Sequence, residues 1–265
     1  MSDGIAVFRP PRPHIRQVPL DRAWAWLGAG WRDFIAGPAN SMTYGIFAVL
    51  AGWVAAALLL WVDLPYLVLP LTAGFFFLGP FLAVGLYEAS RRRAAGLPVD
   101  LEATLVAWRR NPDQILLMGV ALLLFHLAWM RIAQLLFALF DWQSVPSWDR
   151  FADLAWHSTH SLPFLAAGVA VGALLAAAVF AIGAFSMPYL LDRQTANVFE
   201  AIATSLAAVR LNFRPMLLWA GLIAVLVAFA MVPGLLGLVI VLPVVGHATW
   251  HAYRDVVHFE AGAQR

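Results

Sequence analysis

Five mainly apolar runs dominate the chain, and each is long enough to cross a membrane. A helix needs about 20 apolar residues to span the hydrocarbon core, which is about 30 Å thick. Four runs suit one crossing each: Met42–Val62, Leu64–Tyr87, Gln114–Phe140 and Leu162–Leu191. The fifth, Pro215–Tyr253, would be about 58 Å long as a single helix, nearly twice that thickness.

The fifth run is divided by Pro233-Gly234, a pair typical of turns. We therefore expect two crossings there, Met216–Val232 and Gly234–Tyr253, and six in total. Charged residues make up only 12% of the chain and hydrophobic residues 62%, whereas soluble domains are about 25% charged. The sequence excludes a soluble globule and predicts an all-α polytopic membrane protein, with six transmembrane helices as three hairpins.

The arginines predict the orientation of these spans. All 17 basic residues are arginine. With the N-terminus inside, fifteen lie on the inner side, Arg150 lies outside and Arg131 lies within a span. Positive charge stays on the cytoplasmic side, so we expect a multi-pass protein of the inner membrane with both termini cytoplasmic. The first residues lack the apolar core of a signal peptide and are expected to be a retained polar terminus.

An amphipathic segment precedes each pair of spans. The three segments are Asp21–Ile35, Asp100–Arg110 and Asn197–Asn212. Their apolar residues recur at steps of three and four, as one face of a helix requires. In the first segment this face consists of Trp24, Leu27, Trp31, Phe34 and Ile35. Such helices lie flat at the inner surface with arginine at the headgroups, or pack on the bundle, and the two roles are compatible.

This pattern predicts three repeated units within one integral membrane domain, 21–260. The units cover about 21–88, 100–191 and 197–255, after a mobile arm at 1–20 and before a tail at 261–265. Proline recurs in the second helix of every hairpin, at Pro80, Pro188 and Pro243. These prolines predict kinks, although broken helices can also mark substrate sites in transporters.

Two polar residues inside the third span, His126 and Arg131, are candidate functional residues, because charge within a membrane is costly. Arg131 is expected to reach the outer headgroups or to pair with an outer aspartate. The alternative is a role in binding a solute or ion. His126 is expected to be a hydrogen-bonded histidine of the bundle.

The outer loop contains a candidate metal site formed by Asp153, His157 and His160. Their spacing of i, i+4, i+7 would place them on one helical face, within reach of a divalent metal. The alternative is an amphipathic cap on the outer interface, with these residues as its polar tips.

A second candidate metal site lies near the C-terminus, where His247 and His251 are one turn apart and share a helical face with Asp255. Two such histidines can bind a metal or pass a proton. The alternative is a polar stripe that hydrogen-bonds neighbouring helices and lipid headgroups.

The sequence offers no catalytic machinery. Cysteine and lysine are absent, and the spans contain neither a nucleophile elbow nor paired acids. We therefore expect no enzymatic activity, no catalytic residue and no cofactor. A net charge of +2 and the lack of a basic helix with interleaved aromatics predict no nucleic-acid partner.

Two segments carry a family resemblance. They are Gly246-His-Ala-Thr-Trp-His-Ala-Tyr-Arg-Asp255 and Gly85-Leu-Tyr-Glu88. Both resemble the integral membrane family called domain of unknown function 2189, and the likeness extends from about Trp31 to Val257. The resemblance implies a bacterial cytoplasmic-membrane protein without an established activity, in a family where some relatives carry labels linked to cytochrome c oxidase.

The leading functional hypothesis is a non-enzymatic accessory protein of the lipid bilayer. It would contact another membrane protein or anionic lipid headgroups. Gly168-Val-Ala-Val-Gly172 in the fourth span supports it, because small residues at this spacing are typical of close helix packing. The alternatives are a small-solute transporter or channel, and a metal- or haem-handling accessory protein of a respiratory complex.

Overall fold

The computed structural model describes residues 13–72, 74–141 and 147–259, and most of these residues are helical. Two short strands, β1 (Pro13–Ile15) and β2 (Val257–Phe259), pair antiparallel with each other. This pairing ties residues 13–15 of the predicted mobile arm to the other end of the chain. Residues 1–12 of that arm and the predicted tail 261–265 lie outside the described residues.

The first unit begins with α1 (Arg22–Ala36), which is the predicted amphipathic helix, and continues with α2 (Pro38–Trp61). Pro38 lies in the first turn of α2, where an N–H has no helical partner to lose. The chain then returns through four short elements: a 3₁₀ turn (Pro65–Leu67), α3 (Val68–Thr72), α4 (Gly74–Leu82) and α5 (Val84–Ala94).

This return differs from the continuous second span that the apolar run suggests. The segments Pro65–Thr72 and Phe76–Leu82 meet at an angle of 58°. Pro80 lies inside α4, beyond the bend. The second half of the first unit is therefore a broken helix whose break does not coincide with its predicted proline kink.

The second unit contains a short amphipathic start, a long helix and an interrupted return. Its elements are α6 (Leu101–Leu105), a 3₁₀ turn (Ala107–Arg110), α7 (Pro112–Phe140), α8 (Trp148–Trp156), α9 (Ser161–Gly183) and α10 (Ser186–Asp192). Asp100 caps α6 by accepting a hydrogen bond from the backbone N–H of Ala103 at 2.7 Å, as its sequence position predicts.

The third unit consists of α11 (Val198–Leu211), α12 (Phe213–Met231) and α13 (Leu238–Val256). Asn197 caps α11 by accepting a hydrogen bond from the N–H of Glu200 at 2.9 Å. The turn predicted at Pro233-Gly234 separates α12 from α13, and Gly234 has a φ of +64°. Glycine adopts this left-handed conformation without steric cost.

Four helical segments are long and apolar enough to cross a membrane: α2, α7, residues 161–192 and α12. The bent pair in the first unit would make a fifth. These lengths make the chain a polytopic helical membrane protein, embedded in a lipid bilayer. Helix α13, the sixth predicted span, is not among them, because its second half carries His247, His251, Arg254 and Asp255.

Helix α13 is nonetheless enclosed by the bundle, packed between α1, α2, α5 and α12. Its second half is buried over His247–Trp250 and Ala252–Tyr253. Trp250 and Tyr253 belong to the main apolar core together with Trp26 of α1. His247 and Thr249 of this helix therefore face protein rather than lipid.

Helix α1 has two apolar faces, which corrects the single face predicted from its periodicity. Ala23, Trp26, Gly30 and Phe34 are buried, whereas Trp24 and Trp31 are 56% and 48% exposed and Ile35 is also exposed. Small residues allow close approach between helices, so the Ala23 and Gly30 side of α1 contacts α13. The larger apolar residues lie on the outside.

Gly30 provides a test of this packing. A Cβ at Gly30 would lie 2.5 Å from the carbonyl oxygen of Val244 and 2.6 Å from the backbone nitrogen of Ala248. We expect Gly30→Ala to lower the free energy of unfolding in detergent by about 1–3 kcal/mol, the usual cost of overpacking.

Gly28→Ala is the matched control on the same helix, because the nearest atom there, Arg32 Nη1, lies 3.8 Å away. Alanine has the better helix propensity, so this variant should unfold at the same denaturant concentration as the parent or slightly above it. Equal destabilisation by both substitutions would contradict the close α1–α13 contact.

Candidate functional site

A continuous hydrogen-bond network joins α1, α2, α5 and α13 near the paired strands; we call this side of the bundle the strand end. At its centre, the carboxylate of Asp33 on α1 accepts a hydrogen bond from Ser90 Oγ at 2.5 Å. His251 Nε2 on α13 lies 2.9 Å from the same carboxylate oxygen. Asp33 thereby links α1 to α5 and α13.

His247 extends this Asp33 network into the bundle. Its Nδ1 lies 2.8 Å from Ser90 Oγ, and its Nε2 lies 2.9 Å from Ser41 Oγ on α2. Ser90 has one hydroxyl proton, which it donates to Asp33, so His247 Nδ1–H donates to Ser90. Nε2 then accepts from Ser41. This assignment makes His247 a neutral imidazole with both nitrogens engaged.

The electrostatics of Asp33 follow from its partners. Burial by itself raises the pKa of Asp33, but the hydrogen bonds from His251 and Ser90 hold it below its ordinary value. Hydrogen bonds that favour the charged form of a carboxyl have this effect. Asp33 is thus an ionised carboxylate that links α1 to α5 and α13 at the strand end.

Two further acids at the strand end are neutralised by arginine. Glu88 of α5 is buried and accepts two hydrogen bonds of 2.7 Å from Arg91. Asp255 accepts hydrogen bonds from Arg16, from Arg22 at 2.7 Å and from Trp26 Nε1 at 2.8 Å. Asp255, a candidate site residue from the sequence, therefore joins α13 to α1 and to the residue after β1.

Two buried asparagines occupy corresponding positions before α7 and α12. Asn111 Nδ2 donates to the carbonyl oxygen of Ala196 at 2.9 Å and reaches those of Leu190 and Arg193. Asn212 Oδ1 accepts from the N–H of Val18 at 2.8 Å. Each side chain links the start of a long helix to a segment that is distant in the sequence. The sequence analysis did not predict this role.

The two candidate residues of the third span lie apart from this network. His126 was expected to be a hydrogen-bonded histidine of the bundle. It is buried beside Phe77, and its Nδ1 has no hydrogen-bond partner among the described residues. Arg131 is exposed and donates to Gln134 Oε1 at 3.1 Å. The expected reach of Arg131 to the outer headgroups, or its pairing with an outer aspartate, stays a prediction.

The outer-loop metal site is not assembled as its spacing suggested. Helix α8 ends at Trp156, so His157 and His160 do not continue the helical face of Asp153. The closest approach of Asp153 and His157 is 4.0 Å, between two exposed side chains. Across the described ranges, no three His, Asp or Glu side chains are grouped to hold a metal.

The alternative predicted for this loop fits the structure better. Leu154 of α8 is buried against Phe137 and Phe164, while Trp148 and Trp156 are exposed. Helix α8 therefore lies as an amphipathic cap over the ends of α7 and α9.

Asp33, Ser41 and Ser90 were not recognisable in the sequence. Asp33 lies in an amphipathic segment, where an acid normally faces water, and isolated serines in apolar runs carry no spacing signal. The polar stripe of His247, His251 and Asp255 was visible. The structure shows it bonded to neighbouring helices, which was the second interpretation of that stripe.

Fold and site together define an integral membrane protein with several apolar helices and a polar network at one end. Residues 68–192 match the family described as "Predicted integral membrane protein (DUF2189)", which confirms the resemblance and includes Gly85-Leu-Tyr-Glu88. The match ends before the C-terminal segment that also suggested it. No curated protein and no solved structure matches the chain.

The pH dependence of stability tests the role of Asp33. A carboxyl whose pKa is lowered by folding stabilises the protein above about pH 4, the free value, and that contribution is lost as the pH falls through the lower folded value. We expect Asp33→Asn to lower the free energy of unfolding by about 1–3 kcal/mol at pH 7. The difference should shrink below about pH 4.

Asp21→Asn is the control, because Asp21 begins the same helix, is exposed and makes no side-chain cap hydrogen bond. Unfolding followed by circular dichroism from pH 3 to pH 8 compares the two variants. A pH-independent difference between Asp33→Asn and the parent would contradict an ionised Asp33.

Proposed function

We propose that this chain is a non-enzymatic accessory protein of the cytoplasmic membrane that crosses it six times and binds anionic lipid headgroups at its strand end. The observation that carries the proposal is the outer face of α1, where exposed Trp24 and Trp31 lie beside exposed Arg32. Apolar side chains next to arginine are typical of helices that lie in the headgroup region.

Six crossings are supported by hydrogen bonds that tie the beginning and end of each unit together. Asp33 before α2 bonds to Ser90 on α5. Asn111 before α7 bonds to the carbonyl of Ala196 after α10. Groups in direct contact lie on the same side of a membrane, which supports a complete crossing by each of these helical returns.

The third unit follows the same rule. Arg16, which precedes α1, bonds to Asp255 at the end of α13, and β1 pairs with β2. This contact supports an even number of crossings between the two strands. Helix α13 is less apolar than the other proposed spans because of its polar second half. That half packs against α1, α2 and α5, and residues that face protein need not be apolar.

The arginines favour a cytoplasmic strand end. Positive charge stays inside, and the exceptions among the described arginines are Arg131 within α7 and Arg150 on α8. Exposed arginine also accompanies exposed aromatic residues beyond α1: Arg109 lies over the ring of Trp108, and Arg214 neighbours exposed Phe213. Three separate segments of the chain thus carry the same pairing of exposed arginine with an exposed aromatic residue.

Transport of a polar solute is less well supported. Arg131 faces the exterior and bonds to Gln134, and the large cavities of the bundle have apolar walls. A metal- or haem-handling role would need free histidine nitrogens, whereas both nitrogens of His247 are within hydrogen-bond distance of serines.

Single cysteines test the crossings, since the native chain has none. We expect Thr159→Cys and Val232→Cys to react with a membrane-impermeant maleimide in intact spheroplasts. Gln194→Cys and His258→Cys should react only after permeabilisation. Labelling of positions 232 and 258 from the same side would show that α13 does not cross.

Lipid dependence tests the headgroup contact. We expect a higher melting temperature in nanodiscs of phosphatidylglycerol than in phosphatidylcholine, because each arginine near an anionic surface contributes about 1 kcal/mol. The triple variant Arg32→Gln/Arg109→Gln/Arg214→Gln should lose at least half of this gain, and high salt should weaken it.

Arg150→Gln is the matched control, because Arg150 is exposed at the opposite end and should keep the full gain. Equal melting temperatures of the parent in the two lipids would refute the proposed contact with anionic headgroups. A loss as large in Arg150→Gln as in the triple variant would show that the effect depends on charge in general.

A further inference from the structure

The two strands place one histidine directly opposite another. In the antiparallel register of β1 and β2, His14 pairs with His258 and Ile15 pairs with Val257. Both histidines are exposed, whereas Val257 is buried and Ile15 is half-buried. Opposite side chains of an antiparallel pair have Cβ atoms about 4.5–5.5 Å apart. The two imidazoles are therefore neighbours on the outer face of this strand pair, which we call the strap.

The outer face of the strap is basic. Arg16 follows His14 by two residues and therefore lies on the same face of the chain, where it is exposed. Arg254, in the last turn of α13, is also exposed. Partial burial, Arg16, Arg254 and His14 all lower the pKa of His258, in that order of importance. Each of these cations thus lies close enough to His258 to disfavour its charged form.

The acids beside the strap are already neutralised by arginine. The carboxylate of Asp255 accepts hydrogen bonds from Arg16 and Arg22, and that of Asp192 lies 3.3 Å from Arg254. Among the described residues, neither acid is left over to balance a new positive charge on the strap.

The inner face of the strap covers aromatic and charged groups. The guanidinium of Arg193 lies 3.4 Å from the centre of the Phe259 ring, and the rings of Tyr189 and Phe259 are 5.8 Å apart. Helix α11 packs against β1. Its acid, Glu200, accepts a hydrogen bond from Tyr189, and its other charged residue is the exposed Arg210. A closed strap therefore keeps Phe259 over Arg193.

The chain just beyond β1 is anchored independently of the histidines. The backbone N–H of Arg16 donates to the carbonyl oxygen of Val256 at 2.8 Å. Asn212 accepts a hydrogen bond from the N–H of Val18 at 2.8 Å and donates to the carbonyl oxygen of Arg16 at 3.0 Å. Only the strap itself lies outside this anchor, and a two-stranded pair is marginally stable by itself in water. A small change in free energy is therefore enough to open it.

Protonation of His258 favours an open strap. Its Nε2–H donates to the carbonyl oxygen of Asp255 at 3.2 Å, so an added proton binds at Nδ1. Because the pKa of His258 is lowered while the strap is closed, uptake of a proton shifts the equilibrium towards the open form. Free imidazole takes up its proton below about pH 6.5. Closure is therefore favoured above that pH and weakened as the pH falls below it.

We infer that the β1–β2 pair is an acid-sensitive strap. Protonation of His14 and His258 places two like charges directly opposite each other beside two arginines, which disfavours strand pairing. The strands then separate, with Arg16 and its bonds as the hinge. Separation uncovers the ring of Phe259 and the guanidinium beneath it. This device goes beyond the proposed function, because it needs no lipid headgroup.

Hydrogen exchange of the full chain in phosphatidylcholine nanodiscs tests the strap. After correction for intrinsic exchange rates, we expect the amides of residues 13–15 and 257–259 to exchange about fivefold faster at pH 5.5 than at pH 7.5. The amides in the middle of α13 should keep their protection. Equal protection of the strap at the two pH values would overturn the inference.

Variants of the two histidines separate their charge from other effects of acid. His14→Gln and His258→Gln each remove one member of the pair and should keep the strap closed at pH 5.5. The double variant His14→Arg/His258→Arg is charged at every pH and should be open already at pH 7.5. His157→Gln is the matched control, because His157 is an exposed histidine beyond α8, and it should respond to acid as the parent does.

An acid response that persists in both glutamine variants would overturn the inference, as would a closed strap in the double arginine variant. Faster exchange throughout α1 and α13 would instead assign the response to the Asp33 network and would also overturn it. Phosphatidylcholine carries no net charge, so these outcomes do not depend on the proposed headgroup contact. Equal melting temperatures in the two lipids would remove that contact and leave the strap.

Discussion

The contact between α1 and α13 is the interaction around which the bundle is organised. Lipid cannot satisfy polar groups, and α13 carries His247, His251 and Asp255 within its second half. The close approach at Gly30 brings Asp33 to His251 and Trp26 to Asp255. Because α1 covers it, a helix that would be too polar for a lipid-exposed position can lie at the centre of a membrane protein.

The two ends of the bundle are built differently. Near the strands, buried acids and amides are bonded to arginines, histidines and backbone carbonyls. Towards α8, aromatic and aliphatic contacts predominate, with hydrogen bonds such as that from Trp129 Nε1 to the carbonyl oxygen of Pro70. Apolar contacts are less directional than hydrogen bonds, which allows α9 to stand apart from its neighbours and leave open space.

The sequence predicted the elements better than their contacts. Apolar runs and capping residues such as Asp100 and Asn197 act locally, so α2, α7, α11 and α12 could be placed from the sequence. The break in the second span lies away from Pro80, because it depends on neighbouring helices. The side of α1 that meets the bundle, and the partners Ser41 and Ser90, depend on residues far apart in the sequence and could not be read from any single segment.

The pairing of β1 with β2 has a consequence for biosynthesis. Ribosomes add roughly 5–20 residues per second. Roughly 12–50 seconds therefore pass between the translation of β1 and α1 and the translation of α13 and β2. During that interval the early part of the chain has no final partner, and the last segment translated completes the assembly of the first. A ribosome that stalls before α13 would leave a membrane-inserted but unfinished polypeptide, recognisable to quality-control proteases by its unburied tryptophan face.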